Sequence, residues 1–588
     1  MVSCMRHEPE LRVGHDFAPG IAVAFGWVTR PDTFADGAPF WNSEHTIGLI
    51  FAGEEFSGNE RARAGRPHDD SKLAGGASGI IELYEEVGAS CFAKLNGWFS
   101  GLLIDLRESK AILFNDRYGL GRLYYYDGPE GFFFSSEAKS LLAVLPKLRE
   151  INEQSLAEFY SIGCALQNRT LYRDIALLPG ASRWTFHAGG RIEREQYFES
   201  RIWEEQSLLE PEAYLEQLQE VFGRVAPRYL RGPQLAALSL TGGLDSRMLL
   251  AWAGARPGSL PCYTFGGPYR DCHDLRIARR LAAASGQPHT TIPIGDDFFP
   301  RFPDLAEQSV YLSDGTMDVS GAVELYANRR AREIAPVRLT GNYGSEILRS
   351  NVAFRPGALD RTIFTPEFSK LLDEAAVTYR AEAAGHRLSF IAFKQVPWHH
   401  YGRLSIEQSQ LTPRSPFLDN ELVALAYRAP HALATSPRPA LEVIAKGNPG
   451  LNVVPTDRAL SLRPTRLLGR LAHSWQEFTA KAEYAFDYGM PQRLVKIDHL
   501  LSGLHLERLF LGRHKFYHLR IWYKKRLKDY LEMVAEAADA EPACYRPGAG
   551  HQLIHSHLSG RGNHTLEISK LLTVGMVQRL LLKSSWAV

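Results

Sequence analysis

The run from Ser239 to Leu250 reads SLTGGLDSRMLL. It joins PQLAALSL, which has the apolar character of a buried strand, to SRMLLAWAGA, whose apolar spacing is helical. The two glycines therefore mark a strand–loop–helix junction, the place where open α/β sheets bind ligands. Gly242 and Gly243 allow close backbone approach, and the amides opening the helix favour an anion, most often phosphate. Thr241 and Ser246 add hydroxyls. Asp245 would repel a phosphate unless Mg²⁺ lies between them, so the loop predicts a site for a metal-bound polyphosphate. It is not a Walker loop, because the Gly-Lys-Ser/Thr ending is absent. On this stretch alone, a glycine turn with an Asp or Ser helix cap accounts for the same residues.

Downstream, PCYTFGG reads as a strand, CHDLRIARRLAAASG as a helix and HTTIPIG as a strand, the alternation of a parallel α/β sheet. Upstream, IAVAFGWV, HTIGLIFAG, WFSGLLIDL, KAILFND, RLYYYDG and GFFFSSE read as strands of a largely antiparallel sheet, with GIIELYEEVG as a helix. We place the boundary between the two parts at residues 203 and 204. After the α/β alternation the chain is mostly helical, interrupted at ATSPRPA, NPGLNVVPTD and LRPTR. The basic, aromatic region from about residue 465 to 540 is read as solvated helix faces over core aromatics in preference to a surface for an acidic partner or a membrane.

The 588 residues exceed one core and imply at least two domains. Lys plus Arg number 67 against 66 Asp plus Glu, so no net field points to nucleic acid. Six cysteines without a C-x-x-C pair disfavour a zinc site or disulfide scaffold. No apolar run has the length of a membrane span, and the first residues lack a secretory core. The expectation is a cytoplasmic protein.

SLTGGLDSRMLLA resembles the pyrophosphate-binding loop of the asparagine synthetase family, Ser-Gly-Gly-x-Asp-Ser, with Thr241 where Ser is usual. Further resemblances follow in the family's order: LNGWFSGLLIDLRESKAILFNDRYGLGRLYYYDG with FFFSSEAKSLLAV, TFGGPYRDCHDLRIARRLAAASGQPH, LTGNYGSEILRS, RSPFLDNELVALAY and HLSGRGNHTLEISKLLTVGMVQRLLL. The implied fold is an N-terminal αββα, Ntn-hydrolase-like sandwich (residues 1–203, glutamine amidotransferase-like) followed by a parallel α/β ATP-pyrophosphatase domain wrapped in helices (residues 204–588). The implied chemistry is attack of a carboxylate on the α-phosphate of ATP, then displacement of AMP by an amine. The resemblance implies that Ser239, Thr241, Gly242, Gly243, Asp245, Ser246 and Gly344 bind ATP and pyrophosphate and that Asp245 and Glu346 bind Mg²⁺. At Glu346 the family usually has Asp. Tyr343 stands where asparagine-forming members carry Glu and β-lactam synthetases a Tyr, which implies a catalytic part in deprotonating an amine; packing over the nucleotide is the other reading. The family's pyrophosphate-contacting lysine has no clear counterpart; Arg458, Arg463 and Lys446 are the candidates.

The front end departs from glutamine-using members, which begin Met-Cys-Gly. Residue 2 is Val2, Cys4 would need unusual trimming to become N-terminal, Ala52 replaces an Asn, and Gly76 falls where an Asp is expected. No glutaminase activity is expected. The leading expectation is an amide-forming ligase acting on a small-molecule or peptide carboxylate, with a partner protein or carrier left open. An ammonia-using asparagine synthetase and a silent nucleotide-binding scaffold are the alternatives.

Overall fold

The computed structural model describes the chain apart from residues 58–75, 268, 358, 459–466, 491, 493, 496–497, 499–504, 537–541 and 584–588. Its N-terminal part is an αββα sandwich. The main sheet has the order β11-β10-β6-β5-β4-β3, with β3 Phe40–Trp41, β4 Ile47–Glu55, β5 Gly97–Asp105, β6 Lys110–Asn115, β10 Ser182–His187 and β11 Ile192–Gln196. All its pairings are antiparallel. Period-two alternation gives the sheet two apolar faces. On one, Ile47, Leu49, Phe51, Phe99, Leu103 and Phe114 meet Ile80, Ile81 and Leu83 of the helix Ser78–Val87. On the other, Leu102, Ile104 and Leu113 meet Ile21 and Phe25 beside the hairpin of β1 Arg12–Ala18 and β2 Val23–Thr29. A smaller sheet of β7 Tyr124–Gly128, β8 Gly131–Ser135 and β9 Ala176–Leu177 is backed by the helix Ala138–Val144, whose Leu141 and Leu142 pack on Tyr124 and Tyr126.

The six expected strands of this part are present, and β1, β3, β9, β10 and β11 are additional. β3 and β9 are two residues long and β1 and β11 are mostly exposed on both faces, so none of these four carries the alternation that reveals a half-buried strand.

The C-terminal part is built on a five-stranded sheet of order β14-β13-β12-β15-β16, with β12 Ala236–Ser239, β13 Cys262–Gly266, β14 His289–Pro293, β15 Val337–Thr340 and β16 Thr412–Arg414. Every pairing is parallel. From β12 the chain runs outward through β13 and β14, then returns to place β15 on the other side of β12. The strand order therefore reverses between β12 and β15, and the crevice at such a reversal is where open sheets bind ligands. Both glycine-rich segments leave from these two strands. The helix Thr565–Val577, buried along most of its length, closes the core on the side of the helices Phe302–Leu312 and Gly321–Arg332. Among the described residues no helix is long and apolar enough to cross a membrane. Among the described residues the six cysteines form no disulfide, and five of them are buried.

Candidate active site

The loop after β12 is held in shape from several directions. The Thr241 amide donates to Ser246 Oγ at 3.0 Å, the Gly243 amide to Thr241 Oγ1 at 3.3 Å, and the Gly242 amide to Asp274 Oδ1 at 3.0 Å. The carbonyl of Gly242 accepts from Arg247 at 3.2 Å and from the Asp457 amide at 3.2 Å. Buried Arg247 also donates to the carbonyls of Leu451, Val454 and Pro455, so it staples the segment before Asp457 onto the loop. A side chain at Gly242 would meet Asp457 Cβ and Ile277 at 3.2 Å, so the loop packs tightly against both and a larger residue would have to displace them by a few tenths of an ångström. Ser239 closes β12, buried, its hydroxyl accepting from Arg338 at 3.1 Å.

Asp245 begins the helix Asp245–Trp252, and Glu346 lies in the first turn of the helix Gly344–Arg349. The two helix starts are pressed together: a Cβ on Gly344 would stand 2.5 Å from Asp245 Cγ, and one on Gly341 2.6 Å from the Ser246 amide nitrogen. Arg349 holds both carboxylate oxygens of Asp245 at 2.8 Å, and the Ser345 amide donates to the same carboxylate. Burial pushes the Asp245 carboxyl above its usual range against the pull of Arg349, and the charge of Glu346 adds to the rise. Glu346 is raised by burial as well and accepts from the Ser345 hydroxyl at 2.8 Å. The residues implied to bind metal are thus brought together, and the donor set fits Mg²⁺. Two desolvated carboxylates supply hard oxygen ligands, and phosphate and water oxygens would complete an octahedral shell. Among the described residues no group of three His, Cys, Asp or Glu side chains forms a dedicated all-protein metal cage.

Tyr343 has a left-handed backbone, φ 70°, at the sharp turn before the second helix. Its buried ring stands edge-on to Trp98 of β5, 5.7 Å between centroids, and edge-on to His400, also 5.7 Å. Its hydroxyl makes no hydrogen bond to the described residues. Burial, with Glu407 and Glu346 adding charge, holds the phenol far above its ordinary pKa.

Sequence reasoning missed several groups of this crevice. His400 has Nε2 3.8 Å from Glu346 Oε1 and is lowered to about 4 by burial and Arg403. It is a neutral imidazole at pH 7. Arg403 pairs with Glu324 at 3.1 Å, Tyr517 donates to Glu324, and Arg338 pairs with Glu407 at 2.7 Å. No local motif signals this polar cluster, because its members come from four separate segments. Of the candidate cations, Arg458 is taken by Glu477 at 2.6 Å, Lys446 is exposed on the helix Arg438–Gly447, and Arg463 lies outside the described residues.

Residues 31–198 match the model of a glutamine amidotransferase domain, and residues 218–396 match that of asparagine synthase. The two matches, in this order, support an asparagine synthetase-like chain with an N-terminal glutamine amidotransferase-like domain. Among the curated relatives, asparagine synthetase [glutamine-hydrolyzing] 1 of Bacillus subtilis is 22% identical over 55% of the chain and 51% of the relative. Putative asparagine synthetase [glutamine-hydrolyzing] 2 of Methanocaldococcus jannaschii is 24% identical over 46% of the chain and 52% of the relative. The chain thus spans about half the length of these relatives. A solved structure, the glutamine phosphoribosylpyrophosphate amidotransferase of B. subtilis with ADP and GMP, aligns at a TM-score of 0.20 and 11% identity over 45% of this chain and 50% of that one.

In the N-terminal sheet, the segment that follows Ala52 is tied to the parallel sheet. Glu54, at the end of β4, receives two hydrogen bonds from Arg414 of β16, at 2.7 and 2.6 Å. Asn96 donates to Asp419 at 2.8 Å. Both contacts bind the antiparallel sheet to the RSPFLD segment of the parallel one.

Proposed function

We propose that this chain is an ATP-dependent amide-forming ligase that does not hydrolyse glutamine. A substrate carboxylate attacks the α-phosphate of ATP, giving an acyl-adenylate and pyrophosphate. An amine then attacks the acyl carbon, the amide forms, and AMP departs. The observation that carries the reading is the convergence of Asp245 and Glu346 at the sheet's reversal point, beside the glycine loop and the start of its helix.

Mg²⁺ held by Asp245 and Glu346 would neutralise charge developing on the leaving pyrophosphate. Thr241, Gly242, Gly243, Ser246 and Gly344 shape the cradle, and Ser239 anchors its strand. Tyr343 is the catalytic candidate for the amine step. A phenol held so far above its ordinary range is protonated at neutral pH. It serves as a relay, taking the amine's proton as it gives its own to a carboxylate, for which Glu407 and Glu346 are the charged neighbours. The absence of glutamine hydrolysis is supported by Val2 and Ala52 where the resemblance expects Cys and Asn, by Gly76 where it expects a substrate-binding Asp, and by the commitment of Glu54 to Arg414. The catalytic unit is assigned to residues 204–588, with residues 1–203 as the glutamine amidotransferase-like unit.

The test is the product profile with ATP and Mg²⁺, given aspartate plus ammonium in one tube and aspartate plus glutamine in another. Asparagine with AMP and pyrophosphate in the ammonium tube would make the chain an ammonia-using asparagine synthetase. Glutamate release in the glutamine tube would overturn the reading of the N-terminal part. Turnover only with a carboxylate that brings its own amine is the result the Tyr343 position favours.

A further inference from the structure

The two layers of the N-terminal sandwich do not close fully on each other. Opposite the main sheet, the second layer is split into the β1–β2 hairpin and the sheet of β7, β8 and β9, which share no strand pairing among the described residues. Between the layers lies a cavity of about 1610 Å³. Protein interiors hold few voids larger than a water molecule, and ligand pockets run from about 300 to 1,000 Å³, so this space exceeds a packing defect. Its floor is one row across the main sheet: Ile50, Leu102 and Leu113, register partners on β4, β5 and β6. Val23, Phe25 and Trp27 of β2 line it as well, with Phe132 and Phe134 of β8 and Phe186 of β10.

Six of these side chains, Val23, Trp27, Ile50, Phe132, Phe134 and Phe186, are only half-buried although they line the space between the layers. Apolar surface left accessible in this way is unfavourable in water, and an apolar ligand would cover it. The lining follows β2 from Val23 to Thr29, seven residues, about 24 Å at the usual strand rise, whereas stacked sheets stand about 10 Å apart. A long, narrow apolar space suits an aliphatic chain; a single amino acid would leave most of it empty. At the Thr29 end the lining turns polar. Arg30 donates to the Ser409 carbonyl at 2.8 Å there, and Ser405 and Gln408 of the helix Tyr401–Gln408 reach the cavity. Residues 58–75, which follow β4 in sequence, contain one large aliphatic residue, Leu73, so their composition does not match this lining.

We propose that this cavity binds a ligand of the long-chain fatty-acid class, its aliphatic chain along β2 and its carboxylate beside Arg30 at the Ser405 and Gln408 end. The site goes beyond the ligase reading and does not depend on it, because none of its lining residues belongs to the two glycine-rich loops. One helix lies between the two places: Tyr401–Gln408 sends Ser405 and Gln408 to the cavity, and Arg403 and Glu407 to the polar cluster near Tyr343.

Fluorescence titration of the full chain with cis-parinaric acid, a fatty acid that emits when shielded from water, tests it. Saturable binding of one molecule per chain is expected. Ile50→Trp, which fills the cavity floor, is expected to weaken it at least tenfold, and Val13→Trp, on exposed β1 outside the lining, to change it less than twofold. Absence of saturable binding to the wild type, or wild-type affinity in Ile50→Trp, would overturn the assignment. Should Ile50→Trp fail to fold, photolabelling of the wild type with a diazirine-bearing palmitate, read by peptide mass spectrometry, decides: adducts are expected within residues 23–29 and 132–135, and adducts confined to other segments would refute the proposal.

Discussion

Arg349 donates to both carboxylate oxygens of Asp245 at 2.8 Å, from a helix that also carries Glu346. One arginine thus ties the loop after β12 to the loop after β15. Because hydrogen bonds to charged groups contribute about 1.5–3 kcal/mol, Arg349→Ala is expected to destabilise the fold by about that amount. It also leaves the Asp245 carboxylate without its counter-charge, beside the charge of Glu346. Mg²⁺ should then raise the melting temperature of the variant more than that of the wild type. An equal shift in both would separate Arg349 from the metal site.

The space between the two loops permits no side chain at residue 344. Gly344→Ala places a methyl 2.5 Å from Asp245 Cγ and 2.7 Å from its Oδ1, so the acid must move. We expect a folded protein with unchanged affinity for adenosine and a loss of at least tenfold for Mg·ATP. Retained Mg·ATP affinity would show that Asp245 does not need its present position.

Three strands of the parallel sheet and its glycine loop were legible in the sequence because they rest on local pattern: short apolar runs, a helical period and two adjacent glycines. β15 and β16, four and three residues long within a stretch read as mostly helical, were not. The alternation also gave the main strands of the sandwich. Its hairpin strand β1 was not legible, being exposed on both faces. Nor was the chemistry around Tyr343 beyond its own motif. Trp98 comes from 245 positions earlier in the chain and His400 from 57 later, and only the packing of the two sheets brings them to one ring. Lys515, whose ammonium stands 3.4 Å from the ring centroid of Phe265, lay in a basic stretch read as solvated helix faces, since nothing local distinguishes it from its neighbours.

Glu54 and Arg414 form the most enclosed ion pair between the two sheets. Arg414, at 2% exposure, also donates to the carbonyls of Tyr229 and Arg231. Removing one partner of a buried pair strands the other, at a cost of about 3–5 kcal/mol. Glu54→Ala should lower the unfolding midpoint accordingly, with Glu54→Gln losing less because one oxygen still accepts. Glutamate release from glutamine should be absent in the wild type and in both variants. A measurable glutaminase rate abolished by Glu54→Ala would return this residue to a substrate role.

Three histidines carry folded-state values well below the ordinary 6.5: His399 and His557 at about 3 and His400 at about 4, each chiefly through burial. Between those values and 6.5 the unfolded chain binds more protons than the folded one, so stability rises with pH through that window and is lost as pH falls through it. Denaturant midpoints measured from pH 7 to pH 4 should therefore drop. His557→Gln, far from the crevice, should flatten the drop without changing nucleotide affinity. A midpoint independent of pH between 6.5 and 4 would contradict the buried, neutral assignment.

Formation of an acyl-adenylate beside Asp245 and Glu346 is tested most directly by carboxylate-dependent exchange of labelled pyrophosphate into ATP, across a panel of amino-bearing carboxylates. The account predicts exchange with a cognate carboxylate in the wild type and its loss in Asp245→Ala, which still binds adenosine. Exchange that persists in Asp245→Ala, or ADP and phosphate in place of AMP and pyrophosphate, would contradict it.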